Sequence, residues 1–298
     1  MSSLDQSAGV GDSPGRSRRS HRAWWRLWLA VEIVLVFVGL PTAYRLRLIP
    51  MPLIPAILAL AALSITVLLK DRRFDRRRLG YRPRSRREWR RIGRIFLVAA
   101  GVGALAVALA MPDRFLSFVR DRPVVWLTVM ALYPILSVYP QEIVFRAFFF
   151  HRYRELFCRP WALISASALV FGYVHIVMGN GLAITLSALG GVLFGLTYLR
   201  TRSLLTVAVE HALYGCFIFT VGLGQYFYLA PDGAGLSGGA EAKAAVGFEP
   251  TTDGFAIRSL SPLGYAAETA SDATAPPSDG QALALPTAIL GEVGLPMQ

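Results

Sequence analysis

Residues Val124–Phe150 read VVWLTVMALYPILSVYPQEIVFRAFFF, and Glu142 and Arg146 are the only charged side chains in the stretch. An apolar run of this length spans a bilayer core, which needs about 20 residues of helix. Strand-like alternation is missing, so a transmembrane β-barrel is excluded. The run also holds Pro134 and Pro140, which should kink the helix and free backbone carbonyls toward the bundle interior.

Six further runs flank it: Trp24–Leu40, Met51–Leu69, Ile95–Met111, Trp161–Met178, Leu182–Leu199 and Leu204–Leu223. We therefore expect an all-α, polytopic membrane bundle of about seven transmembrane helices. Composition agrees, because 54% of the 298 residues are hydrophobic and only 17% are charged. A soluble domain carries about a quarter charged residues. Cys158 and Cys216 are the only cysteines, which excludes a disulfide scaffold. The first run carries Glu32 and lacks a small-residue cleavage site, so we read it as a span and not a signal peptide.

The expected organisation has three parts. Residues 1–23 form a basic cytoplasmic segment, 24–230 the helical domain, and 231–298 a disordered tail. The net charge of +12 is concentrated in places. Residues 70–94 hold 13 Lys/Arg against Asp71, Asp75 and Glu88, and the first 26 residues hold five Arg. Basic loops stay in the cytoplasm, so the N-terminus should be inside and the tail outside. No aromatic platform accompanies the basic loop, so it reads as a lipid-facing topology anchor and not a nucleic-acid site. Arginine outnumbers lysine 29 to two, which points to a GC-rich bacterial genome and a plasma (inner) membrane location.

The tail is rich in Gly, Ala, Pro, Ser and Thr. Gly247-Phe248-Glu249-Pro250 back-translates to the complement of a transfer-RNA T-arm. Pro262-Leu263-Gly264-Tyr265-Ala266 back-translates to the complement of a D-arm. We expect the reading frame to cross the antisense strand of a tRNA gene from about Ala244 to Glu268.

Ionisable groups within spans are costly and mark candidate sites. Here they are Glu32, Glu142, Arg146, His175, Glu210 and His211. Glu142 and Arg146 are four apart and can pair on one helix face. Glu32 is expected simply to bond a neighbouring helix. Gly172 permits close backbone approach beside His175. Glu210 and His211 point about 100° apart and should serve different neighbours. Counted from the flanking loops, Glu142, His175 and His211 lie about 15, 21 and 14 Å deep. A carboxylate and two imidazoles at one depth could activate water directly or through a divalent metal such as zinc. No His-Glu-x-x-His motif occurs.

Three blocks carry a resemblance. They are Gln141-Glu142-Ile143-Val144-Phe145-Arg146, then Phe171-Gly172-Tyr173-Val174-His175, then His211. In order and spacing they resemble the CPBP family of intramembrane proteases, which includes the type II CAAX prenyl endopeptidases and bacterial Abi-type proteins. The resemblance covers roughly residues 90–228. It implies peptide-bond hydrolysis at a membrane-embedded site, with a peptide or protein substrate. In the family a Glu and a His activate water, and a later His and Asn stabilise the oxyanion. On that pattern Glu142, His175 and His211 are the catalytic candidates and Gln141 and Arg146 support them. The same three catalytic candidates are the possible metal ligands. Two departures stand out. The family's first Glu is Gln141 here, which cannot take a proton from water, so Glu142 is expected to be the base. No Asn follows His211; Gly215 and Cys216 stand there instead. The alternative reading is a non-catalytic scaffold or peptide-binding protein on the same fold.

Overall fold

The computed structural model describes residues 14–80, 86–227, 248–251 and 254–257. The chain divides into two units, Met1–Phe248 and Glu249–Gln298. In the first unit, every element described up to Phe227 is helical. Among the described residues seven helices are long and apolar enough to cross a membrane: His21–Arg45, Leu53–Lys70, Arg86–Ala110, Pro123–Arg152, Pro160–Met178, Gly181–Thr201 and Leu204–Val221. We call them the first to seventh spans. Each expected apolar run has become one of them, so the all-α polytopic fold class holds.

The spans are not equivalent. In the fifth, sixth and seventh, 44%, 39% and 44% of the apolar window is buried, against 11–17% in the first four. The last three, together with the buried second half of the fourth (Glu142–Phe150), therefore form the interior. The outer spans turn side chains such as Leu97, Val102 and Leu109 outward. Apolar side chains facing outward are what a lipid-facing surface requires, since lipid supplies no drive to bury them.

The fifth and sixth spans pack closely because small residues line their contact. A Cβ on Gly172 would lie 2.7 Å from the Cβ of Ala188, and one on Gly191 would lie 2.8 Å from the Cα of Ala168. No larger side chain fits at that backbone separation. The expected role of Gly172 is borne out.

The fourth span departs from a simple proline kink. It contains two π-helical turns, at Pro134–Val138 and Ile143–Phe148, around a short α-helical turn at Tyr139–Glu142. Proline has no N–H to give to the preceding turn, so the ladder slips and one turn widens. The first span widens likewise at Leu35–Gly39, just before Pro41. The Phe145 carbonyl, inside the second π turn, accepts a hydrogen bond from Ser167 Oγ of the fifth span at 2.9 Å. This carbonyl follows both prolines, so it is not one of those that Pro134 and Pro140 were expected to free.

A polar cluster joins Glu32, midway along the first span, to the ends of the second and fourth. Arg152 grips Glu32 with two nitrogens at 2.7 and 3.1 Å, and Tyr153 donates its hydroxyl to the same carboxylate at 2.9 Å. Glu32 thus bonds a neighbouring helix, as expected. Beside it, His151 Nε2 lies 2.7 Å from Asp71 Oδ2.

In the second unit the described residues belong to two paired strands, β1 (Phe248–Thr251, all but its first residue) and β2 (Gly254–Ile257). Phe248, Thr251, Phe255 and Ile257 have the aromatic and β-branched side chains that suit a pleated strand. The rest of the expected disordered tail, and most of the proposed antisense tRNA segment, lies outside the described residues.

Candidate active site inside the bundle

The second half of the fourth span points its polar side chains inward. Glu142 and Arg146 are both 0% exposed. They form an ion pair of 3.3 Å between Nε and Oε2. The other carboxylate oxygen, Oε1, lies 2.8 Å from Nδ1 of His211 on the seventh span. A carboxylate only accepts, so Nδ1 carries the proton and Nε2 is left for a second partner. That partner is the Tyr133 hydroxyl at 3.5 Å, the outer limit of a hydrogen bond.

Aromatic rings complete the walls. Phe194 stacks on the His211 ring at 4.6 Å and 22°. The Arg146 guanidinium lies over Phe171 at 4.6 Å and near Phe194 at 5.5 Å. A desolvated cation on an aromatic face gains about 2 kcal/mol. This partly offsets a shortfall, because none of the three guanidinium nitrogens has a hydrogen-bond partner. Arg146 is therefore held by one charge and two ring faces.

His175 stands at the C-terminal end of the α-helical part of the fifth span, where a 3-10 turn begins. Its Nδ1 lies 2.8 Å from the Phe171 carbonyl. A carbonyl only accepts, so this nitrogen also carries its proton and Nε2 is the free base. The Phe171 ring meets His175 edge-on at 5.1 Å and His211 at 5.5 Å. Glu142, Arg146, His175 and His211 are thus brought into one cluster around Phe171. His175 is half-buried, whereas Glu142 is sealed.

Gln141 takes a different direction. Its amide nitrogen donates to Ser137 Oγ on the preceding turn at 2.8 Å. Glu210 is also 0% exposed, and its polar neighbours are Thr197, Arg91 and Arg146. It serves a different side of the seventh span from His211, as expected. Arg91 Nη2 donates to Thr197 Oγ1 at 2.5 Å, which links this carboxylate to the third span.

The metal expectation is corrected. Among the described residues no three His, Cys, Asp or Glu side chains converge as a metal site. The reason is local. Both imidazole Nδ1 atoms are committed to the Phe171 carbonyl and Glu142, and the second Glu142 oxygen faces Arg146. Only the two Nε2 atoms remain, which is no three-ligand zinc set.

Tyr133 and Phe194 were not singled out from the sequence. Phe194 is one of many aromatics in apolar runs and carries no signal. Tyr133 is nine residues before Glu142, about two and a half α-helical turns, which puts it on the opposite face of a regular helix. The π turn between them changes that register.

Fold and site define a polytopic helical membrane protein with a sealed Glu–Arg–His core and a second, accessible histidine. Residues 123–217 match the family model described as type II CAAX prenyl endopeptidase Rce1-like. The expected resemblance to the CPBP and CAAX-protease family is met over that stretch, which contains all three motif blocks. No curated protein and no solved structure matches this chain significantly.

Proposed function

We propose that this protein is an intramembrane endopeptidase that uses His175 as general base, with His211 oriented beside it by Glu142. The observation that carries this reading is His175, with Nδ1 tied to the Phe171 carbonyl and Nε2 left as an acceptor, in one cluster with the Glu142–His211 pair. A hydrogen-bonded carboxylate fixes the tautomer and orientation of its histidine, the device used wherever a histidine must act through one nitrogen. The base role moves from Glu142 to His175, because a carboxylate with no exposed surface and both oxygens engaged cannot meet water. Glu142 becomes the positioning residue, and Arg146 balances its charge.

The substrate class is a membrane-borne peptide or protein. The chain sits in a bacterial plasma membrane with its N-terminus inside, on the evidence of arginine usage and the basic 70–94 segment. A prenylated substrate does not suit that setting.

A non-catalytic scaffold is the second reading, and Gln141 favours it. This amide stands where the family has a glutamate and is hydrogen-bonded to Ser137. Cleavage of a peptide library by the reconstituted chain, its His211→Ala variant and its Gln141→Glu variant separates the two. The endopeptidase reading expects cleavage by the parent, loss with His211→Ala and an equal or higher rate with Gln141→Glu. Silence from parent and Gln141→Glu alike selects the scaffold.

A further inference from the structure

His211 lies on the seventh span, and the residue one turn later on the same face is Gly215. The family's asparagine is expected in this neighbourhood, and glycine offers no side chain. The space is not open, however. A Cβ built on Gly215 would overlap the ring and hydroxyl of Tyr133. Tyr133 comes from the fourth span and is held edge-on by Phe219 at 5.3 Å and by His211 at 6.4 Å. Its hydroxyl faces His211 Nε2. The loss of a side chain at 215 and the presence of a phenol in the same space are one steric event.

From this juxtaposition we infer that Tyr133 is a catalytic hydrogen-bond donor, standing in from the fourth span for the amide that Gly215 cannot supply. The inference rests on the endopeptidase reading and adds a residue to it. In the attack step, water gives a proton to His175 Nε2 while its oxygen bonds to the scissile carbon. The carbonyl π pair moves onto oxygen, giving a tetrahedral oxyanion. The Tyr133 hydroxyl, which otherwise donates to His211 Nε2 over a long 3.5 Å contact, turns its O–H to that oxygen and keeps its proton. Collapse then restores the carbonyl, breaks the C–N bond and returns the proton from His175 to the leaving amine. A neutral phenol placed beforehand is suited to this, because it stabilises charge that exists only in the transition state.

The test is steady-state kinetics of the full chain in liposomes on a cleaved peptide. The variants are Tyr133→Phe, Tyr133→Ala and Tyr133→Ala/Gly215→Asn, each with a thermal melt. Removing one oxyanion donor lowers kcat about 10²–10³-fold. Tyr133→Phe should therefore lower kcat by about that factor, with KM and melting little changed. The double variant, which opens the space and refills it with an amide, should recover at least about tenfold over Tyr133→Ala. A Tyr133→Phe variant with parental kcat overturns the inference and leaves the endopeptidase reading standing. A change in melting and KM with constant kcat marks a packing role and also overturns it. A double variant no better than Tyr133→Ala refutes the replacement. A parent that cleaves nothing ends the endopeptidase reading and this inference together.

Discussion

Two of the glutamate–arginine pairs in this bundle, Glu32–Arg152 and Glu142–Arg146, are built differently. Glu32 and Arg152 share two short hydrogen bonds, and the carboxylate takes a third from Tyr153. Their side chains keep 16% and 27% of their surface exposed. Glu142 and Arg146 have no exposed surface and share one looser contact. The outer pair is saturated by its partners and needs nothing more. The inner pair leaves guanidinium donors facing rings and spends one carboxylate oxygen on a histidine. A saturated pair joins two helices, whereas an unsaturated one in the interior orients a reactive group. Burial makes the second arrangement the more costly to break.

That contrast predicts a ranking of effects. Arg146→Met should be the most damaging change, because it leaves a sealed carboxylate with only His211. Breaking a buried pair costs about 3–5 kcal/mol, read as a lower unfolding midpoint in detergent. Arg152→Met should cost far less, and equal losses would erase the distinction between the pairs. Next comes Gly191→Leu, which forces a side chain into Ala168. Overpacking of this kind costs about 1–3 kcal/mol and should loosen the fifth span against the sixth, seen as faster amide exchange in both. Glu32→Gln should follow at about 1 kcal/mol, since a part-exposed pair is screened by solvent. Parental melting of Glu142→Gln beside a strongly destabilised Glu32→Gln would invert the comparison.

The smallest effect concerns pH. The Arg73 amide and the His151 imidazole hold the Asp71 carboxyl below its ordinary range. A carboxyl with a depressed folded value contributes stability that is present above the unfolded value and lost as pH falls through the folded one. Acid titration of melting below about pH 4 should therefore show a small loss that Asp71→Asn removes. An unchanged acid limb in Asp71→Asn would show that this contact does nothing for the fold.

Much of the architecture was legible beforehand. Seven apolar runs became seven spans because a bilayer imposes one length on every crossing helix. The Glu142–Arg146 spacing gave their pairing, since i and i+4 share a helix face. The base did not follow from that spacing. Residue type makes Glu142 a base, and only burial removes it from water. Tyr133 was hidden by the π turn, which changes the face a residue presents without leaving a composition signal.

The central claim is that the free Nε2 of His175 takes the proton from attacking water, while Glu142 only orients His211. Hydrolysis of one cleaved peptide by the parent and by His175→Ala, in liposomes with matched melting curves, tests it most directly. Loss of a general base costs about 10²–10⁴-fold in rate, and the account predicts a drop of that size with the fold intact. Cleavage by His175→Ala at the parental rate would contradict it.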